Sequence, residues 1–360
     1  MSAGRSPSAG SGRGLADTFR RLIAITGPIG VAHYMAEANT RYYAQADPFG
    51  AGGDFITAPE VSQMFGELIG LWLADMWQRA GRSGRPYYVE LGPGRGTLAR
   101  DALRAMKQAG LEPQVHFVET SEALRERQLA AVPQAQFHSD LSNIPFEGPI
   151  LLVANEFLDA LPVRQLLRTG EGWREVMVAT DGERFVGVPG AQPMDAALPE
   201  DRRNLPEGTL IETSPAAAAI VHEVAARLVE QGGAALFIDY GHAAPRTGST
   251  FQAVRRHEKV DPFEAPGEAD LTAHVDFATL AQVAQAQGCR WLGTVAQGTW
   301  LRALGIEQRA AALGASASQH RDALASAMHR LTDAEEMGEL FKVMGLAAPA
   351  WPDGAGFHPV

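Results

Sequence analysis

Residues Tyr87 to Leu103 read YYVELGPGRGTLARDAL: a β-prone start carrying Glu90, glycines at 92, 94 and 96, then helical spacing from Thr97. A glycine-rich turn between a strand and a helix lets a ligand come close to the backbone, because no Cβ stands in the way. Glu90 selects among ligands. A carboxylate two residues before the first glycine repels a pyrophosphate and suits a ligand carrying an ammonium and a sulfonium group. The dinucleotide pattern G-x-G-x-x-G also fails, since Thr97 stands where its third glycine belongs and Gly96 comes one residue early. Two further acids fall at strand ends. Glu119 closes the next β-prone run, where a carboxylate accepts both hydroxyls of a ribose. Asp140 follows a third run, within reach of an adenine amino group. Gly92, Pro93, Gly94 and Gly96, with Glu90, Glu119 and Asp140, are therefore the candidate cofactor-binding residues.

Strands must hold these acids at one edge and helices must cover them. A strand ends at Leu91, and a helix runs from Thr97 to about Gln108 with Gly110 as its stop. QVHFVET is a second strand, followed by a helix capped by Ser121, and a third strand lies near Phe137. PILLVANEF is a fourth, apolar enough to be buried on both faces. AALFIDY, CRWLGTV and FKVMGLA continue the series, with helices opened by Ser214-Pro215 and by Asp276. Strands alternating with helices give a mostly parallel, doubly wound α/β sheet, and ligands bind such sheets at the carboxyl ends of the strands. The rhythm breaks twice. WREVMV and ERFVGV flank Thr180-Asp181-Gly182, a hairpin signal, and the Pro- and acid-rich stretch from Ala191 to Gly208 reads as a linker. The segment from Phe251 to Val275 is too long and polar for a plain connection, and such segments are usually functional.

The expected division is a disordered tail over 1–14 and an N-terminal helical segment over 15–57. A core follows over 58–165 and 209–350, with a hairpin and linker inserted over 166–208. Further insertions over 243–275 and 298–335 cover the substrate site. Within 15–57, helices Leu15–Thr26 and Gly30–Tyr43 are broken at Gly27-Pro28, and Pro48 to Pro59 is a glycine-rich loop. A long helix then starts near Pro59, with Phe65, Leu68, Ile69, Trp72 and Met76 at helical spacing. Trp72 and Trp77 are core residues on this reading.

The 360 residues are 46% hydrophobic and 20% charged, the composition of a globular protein with a sizeable core. A net charge of −11 without a long basic run argues against a nucleic-acid groove. One cysteine excludes a disulfide framework and a Cys-based zinc site, and no metal site is expected. The most apolar window, MFGELIGLWLADMW, is too short to span a bilayer and contains two acids, so it reads as a buried helix and no membrane insertion is expected.

E-x-G-x-G-x-G is the form found in Rossmann-like, class I S-adenosylmethionine-dependent methyltransferases. Longer motifs narrow the resemblance. DFITAPEVSQMFGELIGLWL, VELGPGRGTLARDALRA, ANEFLDALPVRQ, ALFIDYGH, GEADLTAHVDFATLA, QGTWLRALGIEQRA and MGELFKVM resemble, in order, the MidA-like family, from about residue 15 to 346. The resemblance implies a methyltransferase fold with inserted segments and S-adenosyl-L-methionine as cofactor. It also implies a protein substrate, with symmetric dimethylation of an arginine on a respiratory complex I subunit. The expected compartment is the cytoplasm of a bacterium or the mitochondrial matrix of a eukaryote.

ANEFLDALP then places Asn155, Glu156 and Asp159 where the fourth strand gives way to its loop. A guanidinium is planar, always charged and a poor nucleophile. Two carboxylates can hold it in a fork, bias its charge toward one nitrogen and free the other to attack. Glu156 is the first choice for that clamp and Asp159 the second, while Asn155 contacts the amino acid end of the cofactor. Asp239, Tyr240 and His242 after the fifth strand also stand near the pocket. The competing reading is a noncatalytic, cofactor-binding assembly factor acting through the Phe251–Val275 segment. An NAD-dependent oxidoreductase is disfavoured by Glu90 and Thr97.

Overall fold

The computed structural model describes residues 14–45 and 57–357, apart from 83, 199, 256–257 and 317. Most of the tail and most of the Pro48–Pro59 loop lie outside the described residues.

Seven strands build the central sheet: β1 (Tyr87–Leu91), β2 (Gln114–Val118), β3 (Gln136–His138), β4 (Ile150–Asn155), β5 (Gly233–His242), β6 (Arg290–Ala296) and β7 (Phe341–Ala347). Their spatial order is β3-β2-β1-β4-β5-β7-β6, and a two-residue strand, Val275–Asp276, pairs with the end of β5. The first five run parallel, and β7 lies antiparallel between β5 and β6. Chain order reverses between β1 and β4. That switch point opens a crevice at the strands' carboxyl ends. β1 and β4 are buried along their whole length, as central parallel strands covered on both faces must be.

One face is covered by helices Gln63–Arg79 and Thr97–Gln108. Their axes approach closely because Gly66 and Gly70 present no side chain; a Cβ on Gly70 would stand 2.3 Å from the Ala102 carbonyl oxygen. Pro215–Gln231 and Phe277–Ala286 cover the other face. Ser121, Ser214 and Asp276 each accept a hydrogen bond from a first-turn amide of the helix they open. Trp72 is buried, and Trp77 packs partly buried against the same core. The helix expected from Pro59 is broken: Ala58–Val61 and Gln63–Arg79 are separated by Ser62, which is extended and whose hydroxyl caps Met64 N. Among the described residues no helix is long and apolar enough to cross a membrane.

The inserted segments are more ordered than their composition suggests. The hairpin Gly172–Asp181 and Arg184–Pro193 turns at Gly182-Glu183 and belongs to a five-stranded sheet with Ile29–Gly30, Arg164–Thr169 and Leu210–Thr213. Leu210–Thr213 thus pairs with the hairpin sheet and not with the core. The stretch read as a linker is pinned beside it: Leu198 packs with buried Trp173, whose indole N–H donates to Arg203 O. Residues 251–275 are not structureless either, since Gln252–Arg255, Glu258–Val260 and Asp270–Thr272 form a third sheet. Helices Leu15–Thr26 and Val31–Gln45 join both small sheets in one apolar cluster around Phe19, Tyr34 and Phe185. Residues 298–335 are mainly helical.

Candidate cofactor cleft and acid cluster

The loop after β1 turns sharply, with Gly92, Gly94 and Gly96 at φ of 60°, 54° and 77°. That left-handed backbone explains a glycine at each of the three positions. The same loop ends on helix Thr97–Gln108, whose N-cap, Gly96, supplies no side-chain acceptor, so first-turn amides are left for a ligand. A cleft opens here. Glu90, Gly92, Pro93, Gly94, Asn155 and Glu156 line it, together with Thr57, Pro59 and Glu60. Glu90 is buried, receives the Tyr88 hydroxyl at 2.6 Å, and is pushed up to about 8 by burial. Asn155 is also buried, and its Oδ1 has no hydrogen-bond partner.

These features fit an amino acid terminus. The helix N-terminus suits a carboxylate, while Glu90 and the orphaned Asn155 Oδ1 suit an ammonium. Glu90, raised when the cleft holds no cation, would ionise beside one.

Two of the expected cofactor acids stand outside this lining. Glu119 is buried, with one oxygen accepting Ser121 N at 2.8 Å and the other accepting Gln128 Nε2 at 3.0 Å. Gln128 Nε2 also donates to Gly94 O at 2.8 Å, so Glu119 and the glycine turn are tied through one buried side chain. Nothing in the sequence singled out Gln128, which lies mid-helix without a motif around it. Asp140 is exposed and caps the short helix Leu141–Asn143, its carboxylate taken up by Ser142, Ser139 and Asn143. Those bonds, the Ser142 hydroxyl first, hold it below the usual carboxylate range.

The chain leaves β4 through Glu156, which has φ of +50° although it bears a full side chain. Such backbone persists only where the surroundings over-determine it, and it concentrates at functional sites. Asp239 supplies the constraint: its Oδ2 accepts Phe157 N, Leu158 N and Asp159 N at 3.1, 2.9 and 3.2 Å. The Asp239 position was expected near the pocket, and its observed work is to hold this turn. The Glu156 carboxylate accepts Ala58 N at 3.0 Å and Asn155 Nδ2 at 3.1 Å.

Glu156, Asp159 and Asp239 stand close enough to repel one another. Burial pushes Glu156 up to about 7, and the Asp159 charge adds to the shift. Burial likewise pushes Asp159 up to about 6 and Asp239 well above its ordinary value. The Tyr240 hydroxyl bonds to Asp159. The two expected clamp residues do not line a single cleft: Glu156 faces the glycine turn, and Asp159 faces a second cavity beside it. Asp276 caps its helix, and His242 lies at this second cavity.

A model of S-adenosyl-L-methionine-dependent methyltransferases matches residues 68–295, which span β1 to β5 and most of β6. Protein arginine methyltransferase NDUFAF7, mitochondrial, of Mus musculus is 38% identical over 90% of this chain and 82% of its own length. The Homo sapiens protein of that name is 37% identical over 90% and 81%. A Burkholderia thailandensis protein crystallised with S-adenosyl-homocysteine superposes with a TM-score of 0.82 at 31% identity, covering 95% of this chain and 93% of that one.

Proposed function

This chain belongs to the MidA-like family of S-adenosyl-L-methionine-dependent methyltransferases, and from that premise we propose that it methylates an arginine of a protein substrate. The observation that carries this reading is Glu156: a carboxylate on strained backbone, in the same cleft as the glycine turn and Glu90. The name of the mammalian relatives gives the same residue type for their activity.

When bound, S-adenosylmethionine would supply an electrophilic methyl group, transferred by in-line displacement with the neutral thioether as leaving group. The protein's own task is then mostly positioning. The Thr97 helix start, Glu90 and Asn155 orient the amino acid end, and Glu119 is the acceptor for ribose hydroxyls. Asp140, outside the cleft lining, is the residue proposed for the adenine amino group. Glu156 draws the positive charge of a guanidinium toward one nitrogen, so that another keeps electron density for attack. Methylation leaves one proton in excess on the product. Glu156, with its proton affinity near neutrality, is placed to take it.

As finer proposals, the substrate is a respiratory complex I subunit, the product is symmetric dimethylarginine, and the compartment is wherever that complex is assembled: bacterial cytoplasm or mitochondrial matrix. Quantitative mass spectrometry of a strain with and without the protein tests this. The expected result is loss of dimethylarginine from a small set of peptides, restored by complementation. An unchanged arginine-methylation profile would overturn the substrate assignment.

A further inference from the structure

Asp159 is buried, and its Oδ1 lacks any hydrogen-bond partner although a hydroxyl and backbone groups surround the rest of the carboxylate. Buried acceptors of this kind are rare without a ligand, because leaving one unsatisfied costs as much as a lost hydrogen bond. Asp159 is among the residues that line a second cavity, of about 160 Å³. Much of its lining is apolar: Leu158, Leu161 and Val163 from the chain after β4, Ala217 and Ala218 from helix Pro215–Gln231, and Leu280 from helix Phe277–Ala286. Glu212, Ser214, His242, His274 and Asp276 are polar members of the same lining.

A lining that joins apolar side chains to the acids Asp159, Glu212 and Asp276 suits one side-chain chemistry, an aliphatic stem carrying a cationic head. Arginine has that form, and Asp159 lies close enough to Glu156 for their charges to interact. We infer that the substrate arginine reaches the reacting centre through this cavity, its stem between Leu158 and Ala218 and its guanidinium passing from Asp159 to Glu156. This inference rests on the arginine reading above and adds the route. The cofactor and the substrate would then approach Glu156 from opposite sides of the turn after β4. Asp239 and Tyr240 act as positioning residues on this account, the first holding that turn and the second holding Asp159.

Ala218 is the residue to alter. It is only partly buried, so a larger side chain can be accommodated by the helix and will project into the cavity. Ala219, exposed on the same helix and outside the cavity lining, is the control. The methyl acceptor is an extract of cells lacking the protein, with methyl-labelled S-adenosylmethionine as donor and labelled methylarginine after hydrolysis as readout. Cofactor affinity is measured in parallel by calorimetry. Ala218→Leu is expected to cut labelling at least about tenfold while cofactor affinity stays within a few-fold, and Ala219→Leu to behave as wild type. Thr279→Tyr, at the exposed end of the same cavity, serves if Ala218→Leu does not fold, and the same loss is expected. Wild-type labelling by the folded cavity variants would overturn the route and leave the arginine reading intact. Absence of labelled arginine with the wild-type protein would overturn both.

Discussion

Glu90 is the residue whose role follows most directly from its surroundings. Burial holds it up at about 8 without a ligand, and a cation placed beside it lowers that value. Cofactor binding therefore expels a proton below about pH 8, and affinity should climb toward that pH by up to about tenfold per unit, then level off. Glu90→Gln should remove that slope, as calorimetry across the range will show; an identical slope in the variant would mean that the proton comes from elsewhere. The glycines, Glu90, Asn155 and Glu156 were readable as one site because their chemistry sits in short motifs at strand ends. The bonds of Glu119 and Asp140 were not readable. Glu119 depends on Gln128, on the helix that follows, and Asp140 caps a helix of three residues, too short to leave a periodic signal. Asp239 illustrates the same limit: a strand-end acid looks alike in sequence whether it faces a ligand or collects backbone amides.

At the scale of elements, the site depends on helix Thr97–Gln108 holding the glycine turn against β1. That helix is fixed by its contact with Gln63–Arg79, where Gly66 and Gly70 lie against it. Gly70→Ala forces a methyl group into the Ala102 backbone, and overpacking of this kind typically costs about 1–3 kcal/mol. Denaturant unfolding should show that loss, together with weaker cofactor binding as the turn shifts. Unaltered stability would place the helix contact elsewhere. Periodicity made the alternating strands and helices plain, since buried parallel strands and two-faced helices each have a distinct pattern. The second sheet was legible in part and the third was not. The Asp181-Gly182 hairpin announced itself, whereas Leu210–Thr213 and Gln252–Arg255 are four residues long and gain their order from neighbours far along the chain. Short strands of this sort carry too little local signal to be told from loop.

The whole molecule gathers Glu90, Glu156, Asp159 and Asp239 around the carboxyl ends of β1, β4 and β5, and burial raises all four. Acids raised on folding favour the folded state below their unfolded values, near pH 4, and for Asp159, Glu156 and Glu90 that contribution is lost as pH rises through about 6 to 8. The unliganded protein should therefore melt at a lower temperature at about pH 8.5 than at about pH 6, with a smaller drop in Glu90→Gln. Scanning calorimetry checks this, and equal drops in both proteins would contradict the cause. On the proposed reading such strain is tolerable, because the site would receive cations, the sulfonium and ammonium from one side and the guanidinium from the other. The most direct test is Glu156→Gln, which keeps the shape and removes the charge. Labelled methyl transfer to arginine and cofactor affinity are measured side by side in variant and wild type. The account predicts transfer lowered on the order of a hundredfold or more, with cofactor affinity kept within a few-fold. Transfer at the wild-type rate by a folded, cofactor-binding variant would contradict it.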